Sequence, residues 1–322
     1  MQIEKEKMKL YPFYNHYCDA LYASLGEFLT IDEENINQIL SNLTAEDWSA
    51  MCDYCVVKNI KAGVKELNLK VYHYGDGLKA LDKYAIKGKE IISAKEMNVL
   101  PTSAMVGDRL LLEVENLLDY QQDYLNDLVD FSAKTDIPVL FKIGQKLDEV
   151  GKLVNIYRKS PMEILENYGF LDRECYIYGL NFIDKEDQKL LSQYDVKIIF
   201  SPISDGEEGL GAINLYNFIY NELKFGFSSG KCYNINMLEE CKLAKINTSN
   251  LMYDNKLLTI EQLLSGVIVD YDFQEDEKIE IDLDECEPFE NILNKRVDLK
   301  QDDFFALRQK VIEIAGKIKE KI

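Results

Sequence analysis

His16 and His73 are the only imidazoles in this sequence. Any mechanism or metal centre that draws three or more histidines from one chain is therefore excluded. A lone histidine more often hydrogen-bonds locally than does chemistry, although its titration range suits proton transfer. Cys52-Asp-Tyr-Cys55 has C-x-x-C spacing. No second such pair and no nearby histidine pair supports a zinc site, and no thioredoxin-like context supports a redox motif. The spacing instead predicts two buried thiols one helical turn apart. Gly206, Gly209 and Gly211 invite comparison with a phosphate loop. They lack both the G-K-[ST] ending of a P-loop and the interval of a dinucleotide fingerprint.

Charge narrows the partners. Asp and Glu number 57 against 37 Lys and Arg, a net charge of −20. Such a surface repels phosphate backbones, which argues against nucleic acid, and it disfavours anionic membranes. No apolar run approaches the ~18 residues that span a bilayer. The N-terminal Met1-Gln-Ile-Glu-Lys-Glu-Lys7 lacks a signal peptide's apolar stretch. The expectation is a cytoplasmic protein whose seven cysteines are mostly buried, reduced thiols.

The elements that must position any site follow from periodicity. A strand-like piece covers Leu10–His16, and a helix follows with Ser41 or Thr44 as cap. Leu67–His73 reads as a strand, Glu90–Ala94 as a short one, and Arg109–Phe131 mostly as helix. Strands at Ile137–Gly144, Glu174–Gly179, Val196–Ser201 and Leu223–Ser228 alternate with helices at Leu147–Tyr168, Asp184–Gln193, Ile213–Glu222 and Asn236–Ile246. The 147–168 helix carries a break signal at Ser160-Pro161. This alternation predicts parallel βαβ units, as in half of a (β/α)8 barrel. The expected fold is α/β, a TIM-like barrel over residues 1–266. A small β and helix appendage is expected over 267–322, with strands at Val267–Phe273 and Ile279–Leu283 and a terminal helix striped by Phe304, Leu307, Val311, Ile314 and Ile318.

Several pieces between about Pro138 and Ile246 resemble the amidohydrolase superfamily, in its chlorohydrolase and guanine deaminase-like branch. They are Asp148-Glu-Val150, Gly169-Phe-Leu171, Ile183-Asp-Lys-Glu-Asp187, the run Ser201-Pro-Ile-Ser-Asp-Gly-Glu-Glu-Gly-Leu-Gly211, Phe225-Gly-Phe-Ser-Ser-Gly230 and Leu238–Ala244. Order and spacing agree over about a third of the chain. The resemblance implies a barrel whose C-terminal face holds zinc or iron on histidines and an aspartate, with the metal activating a water.

Placed on that pattern, the opening H-x-H falls on Tyr17 and Asp19, or on Cys18 and Ala20. The H-x-x-E strand carries Lys142 and Gln145, the L-A-H strand ends at Gly179, and the T-D strand has Ser229-Gly230. No expected ligand is present, and a protonated lysine repels a divalent ion. The resemblance thus implies the fold while arguing against the metal, so no cofactor is expected. The residues expected to line a small-molecule site are His16, Tyr17, Asp19, Lys142, Gln145 and Ser229. Lys142 there binds an anion or acts as a desolvated nucleophile, or it simply neutralises a carboxylate such as Asp19. Several of the 20 tyrosines are expected to fill the vacated space.

Three functions remain open. The leading expectation is a non-catalytic binding or partner subunit. The alternative is hydrolysis or deamination of a C–N bond in a purine- or pyrimidine-like molecule, by a site rebuilt from Asp19, Lys142, Asp205 and His16. The third is an interaction scaffold, forming a homo- or hetero-oligomer through the C-terminal strands and helix. Only about ten residues precede the first barrel strand, so the C-terminal strands are expected to lack their usual sandwich partners and leave an open edge.

Overall fold

Short apolar runs recur along the chain, each bounded by a polar turn or a helix cap. Eight of them become parallel strands in the computed structural model, which describes residues 7–10, 13–100, 107–267, 279–282 and 301–321. A first strand, β1 (Lys7–Leu10), lies outside the barrel. The barrel strands are β2 (Phe13–Asp19), β3 (Val64–Lys70), β4 (Glu90–Ser93), β5 (Leu110–Val114), β6 (Val139–Ile143), β7 (Cys175–Gly179), β8 (Lys197–Phe200) and β9 (Phe225–Phe227). Each pairs in parallel with the next in sequence. The circle closes just past β9. The Asp19 amide donates to the Gly230 carbonyl at 3.0 Å, and the Gly230 amide donates to the Tyr17 carbonyl at 3.1 Å. The expected (β/α)8 barrel is therefore present.

The helices between strands start where the sequence supplies caps. Thr44 and Asp47 form a capping box at the head of α3 (Ala45–Lys61), which follows α1 (Ala20–Leu25) and α2 (Ile36–Ser41). Asp184 caps the helix Lys185–Leu191, and Asn236 caps Met237–Met252. The break at Ser160-Pro161 is real, separating helices Leu147–Tyr157 and Pro161–Tyr168. Cys52 and Cys55 sit buried on α3, and Cys55 Sγ lies 3.6 Å from Cys18 Sγ.

One expected element is wrong. Arg109–Phe131 is not mostly helix: β5 covers Leu110–Val114, and the helix occupies Gln122–Thr135. A parallel strand covered on both faces has no period-2 signature, so an unbroken Leu run mimics a buried helix. A second correction concerns the appendage. Its strand Ile279–Asp282 is not left without a partner, because β1 pairs with it antiparallel, Lys7 opposite Asp282. The expected strand Val267–Phe273 lies outside the described residues beyond Val267.

The C-terminal helix, Gln301–Lys319, lies on the barrel's first helices. Val311, Ile314, Ala315 and Ile318 are buried in one cluster with Leu21, Leu25, Trp48, Met51 and Tyr54. The stripe seen in the sequence thus packs on this chain's own α1 and α3. Among the described residues, no helix is long and apolar enough to cross a membrane.

Candidate active site

Side chains alternate in and out along each barrel strand, so every second residue near a strand's C-terminal end reaches the interior of the mouth. On β2 this register selects Tyr17 and Asp19. The Tyr17 hydroxyl donates to Glu113 Oε1 at 2.9 Å, and Asp19 Oδ2 accepts from the Tyr72 hydroxyl at 3.1 Å. Cys18 and Ala20 belong instead to the layer between strand and helix, Cys18 against Cys55. The two placements left open by the sequence are therefore resolved in favour of Tyr17 and Asp19.

Two lysines and one glutamate form the centre. Lys142 is the last residue but one of β6 and Lys70 ends β3, and both reach Glu113 on β5. Lys142 Nζ lies 3.0 Å from Glu113 Oε1, and Lys70 Nζ contacts Oε2. Lys142 is 6% exposed and Glu113 fully buried. Charges this deep are costly unless paired, and here each is. Lys142 also stands over the Tyr17 and Tyr178 rings, 4.7 and 5.5 Å from their centroids, with exposed Glu115 at 3.9 Å. Tyr17 and Tyr178 pack 5.0 Å apart inside the barrel.

Burial would raise the Glu113 carboxyl, but Lys142 and Lys70 overcome it and bring its pKa down to about 2. Asp19 shows the opposite balance. Burial lifts it to about 6, against the pull of Lys142 and Lys70 and with a further push from Glu113. Asp205 lies just after β8 in the short helix Pro202–Glu207, and burial lifts it to about 7. Asn181 Nδ2 donates to its Oδ2 at 3.3 Å, and its Oδ1 is buried without a partner among the described residues. Lys142 acts electrostatically on both aspartates.

The other expected site residues sit elsewhere. His16 packs against Tyr14 and fills the space above Gly226, with burial and Lys197 lowering its pKa to about 3. Lys197 opens β8, so His16 lies toward the N-terminal end of the barrel, away from Asp19 and Lys142. Ser229 faces the strand–helix layer, where Asn15 Nδ2 donates to its Oγ at 2.8 Å and to Asn59 Oδ1 at 2.8 Å. Gln145 is half-buried and lies over Gly179, where a Cβ would come within 2.4 Å of its Cγ. On β7 the inward side chain is Tyr178 and not Gly179. Sequence reasoning missed Glu113 and Lys70 altogether. Their one signal was a charged residue in an apolar strand at its C-terminal end, and reading residues 110–114 as helix hid it for Glu113.

A divalent metal fits this donor set poorly. Glu113 already carries two ammonium groups. The space a side chain at position 230 would need is taken, with Ser204 Cβ at 2.7 Å and the Tyr178 hydroxyl at 2.8 Å from a built Cβ. Among the described residues, no group of three or more His, Cys, Asp or Glu is placed to hold a metal ion.

No family model matches the chain. Among curated proteins it is similar to a 5-methylthioadenosine/S-adenosylhomocysteine deaminase of Thermococcus kodakarensis, 26% identical over 111 residues, which cover 34% of this chain and 26% of that protein. It is also similar to a 5'-deoxyadenosine deaminase of Methanothrix thermoacetophila, 26% identical over 122 residues, covering 36% of this chain and 29% of that protein. The match thus spans under a third of either relative. In fold it is similar to a zinc-bound adenosine deaminase from Xanthomonas campestris, with TM-score 0.79, 11% identity and coverage of 96% of this chain and 86% of that one. An E. coli guanine deaminase gives TM-score 0.66 and 13% identity, covering 96% and 82%. By strand order, closure and sequence likeness together, the chain is an amidohydrolase-like barrel that resembles the superfamily's deaminases, with an ion-pair centre in its mouth.

Proposed function

We propose that the chain is a hydrolase acting on a carbon–nitrogen bond of a small purine-like molecule at the barrel mouth. The curated relatives and fold neighbours are deaminases, which supports this over the non-catalytic subunit favoured on sequence grounds. One observation carries the chemistry: Asp19 at the end of β2 and Asp205 just after β8 are two buried carboxyls within the electrostatic reach of the buried Lys142, and burial raises both toward neutral pH. At neutral pH such a pair is found with one member ionised and one protonated. The ionised carboxylate takes a proton from water as its oxygen bonds to the ring carbon. The protonated one gives its proton to the departing nitrogen as the C–N bond breaks, releasing ammonia. Lys142 and Lys70 stabilise negative charge developing on the ring. No step is routed through a metal.

A second reading has its own support. Lys142 is held by Glu113 and Tyr17 and Tyr178 fill the interior, which suits a protein that binds without turnover. An ammonia-release assay separates the two, run with adenosine, guanine and 5-methylthioadenosine, with and without a chelator. The first reading requires release that survives chelation and drops at least 100-fold in Asp19→Asn and in Asp205→Asn. Saturable binding without release establishes the second. Release abolished by chelation sinks the metal-free mechanism.

A further inference from the structure

Outside the barrel wall, beside the loops that follow β7 and β8, lies a cavity of about 470 Å³. Four carboxamides line it, those of Asn181, Gln188, Asn214 and Asn217, together with the rings of Phe182 and Phe218. No charged side chain contributes to its wall. Two carboxamides are already engaged: Asn214 Oδ1 caps the Tyr216 amide at 3.2 Å, and Asn181 Nδ2 donates to the Leu210 carbonyl at 3.0 Å.

The others are not. Gln188 is largely buried and Asn217 half-buried, and among the described residues neither carboxamide has a protein hydrogen-bond partner, so both amide groups are open to solvent in the hollow. Asn181 Oδ1, by contrast, is buried and without a partner among the described residues. One buried acceptor in the wall is thus left unsatisfied, which is costly, and two further carboxamides open into the same hollow, which suits it to a polar occupant. Phe182 adds a flat surface. It lies against Gly211, where a Cβ would stand 3.3 Å from the ring's edge, so glycine lets the ring settle there.

We propose that this cavity binds an uncharged planar heterocycle with donors and acceptors along its edge, of the size and class of a free nucleobase. Carboxamides pair with such edges because each offers both a donor and an acceptor, and the rings stack on the heterocycle's face. The absence of wall charge disfavours phosphorylated or carboxylated ligands. The site is separate from the mouth, but Asn181 links them, since it also holds Asp205. An occupant that engages Asn181 thereby bears on one of the two carboxyls of the mouth. The proposal does not depend on turnover there.

The test is calorimetric titration of the full chain with adenine, hypoxanthine and cytosine as probes. Gln188→Met and Asn217→Leu keep side-chain volume and remove the amides. Lys231 follows Gly230 at the closing strand and pairs with Glu208 at 3.1 Å beside the barrel mouth, so Lys231→Met reports binding in the barrel instead. Thermal melts confirm that each variant folds. The expected result is saturable binding of at least one base, weakened tenfold or more by both Gln188→Met and Asn217→Leu and unchanged by Lys231→Met. Adenosine monophosphate is expected to bind at least tenfold more weakly than adenine. Binding indifferent to the two cavity variants, or no binding of any base, overturns the proposal.

Discussion

Lys142 and Glu113 meet 3.0 Å apart in the barrel interior, and Lys70 takes the carboxylate's other oxygen, so one buried acid serves two buried bases. The acid is the keystone of that arrangement. Glu113→Gln leaves two ammonium groups facing an amide, and breaking a buried pair this way costs ~3–5 kcal/mol. Urea denaturation is expected to show that loss. The cost should shrink when Lys142→Met is added, because one uncompensated charge then disappears. Equal costs in both backgrounds would deny the coupling.

The same carboxylate predicts an acid limb. Its pKa falls from 4.5 to about 2 on folding. The resulting stability is complete above 4.5 and is lost as pH falls toward 2, on the order of 3 kcal/mol in all. A melting series from pH 5 to 2 should be steeper for the wild type than for Glu113→Gln.

Glu240 predicts the opposite slope. It is fully buried, its Oε2 accepts from the Ile203 amide at 2.9 Å, and its Oε1 has no partner among the described residues. Burial lifts its pKa to about 8. A carboxyl raised on folding is protonated in the fold while the unfolded chain has ionised. Stability is therefore lost as pH rises from about 4.5 to about 8. Glu240→Gln should melt higher than the wild type at pH 8 and nearly alike at pH 4. A constant difference across that range would contradict the assignment.

Gly230 is held at φ +57, with the Tyr178 hydroxyl and Ser204 where a side chain would begin. Gly230→Ala is expected to cost ~1–3 kcal/mol through crowding and backbone strain. Tyr178→Phe removes one of the crowding atoms, so the double variant should lose less than the sum of the singles. Strict additivity by chemical denaturation would show that the hydroxyl does not occupy that space.

The C-terminal helix should behave as part of the barrel. Ile314 is 2% exposed between α1 and α3, and Ile314→Ala is expected to cost ~2–5 kcal/mol in the barrel's own unfolding transition. A separate, low-temperature transition carrying the whole effect would mean that the helix docks independently.

The sequence made the architecture legible because caps and turns are local. Thr44, Ser160-Pro161, Asp184 and Asn236 each mark the helix boundary they were read to mark. Lys142 and Asp19 were legible as neighbours of the mouth through the resemblance, Lys142 on a strand read from the sequence and Asp19 three residues past the strand read as Leu10–His16. Glu113 was not, since its meaning comes from partners 43 and 29 positions away on β3 and β6, Lys70 and Lys142. The inward side of β7 was also misjudged by one residue, which in a strand reverses the face. The cavity behind Asn181 was illegible for a related reason. Carboxamides at 181, 188, 214 and 217 look like ordinary surface residues until the loops bring them together.

Closure of the sheet at Gly230 has a bearing on synthesis. As the chain leaves the ribosome, residues 13–19 present an unsatisfied edge until residues 225–230 emerge to cover it. For most of translation that edge is open to any other extended peptide, so crowding nascent chains together should favour misassembly.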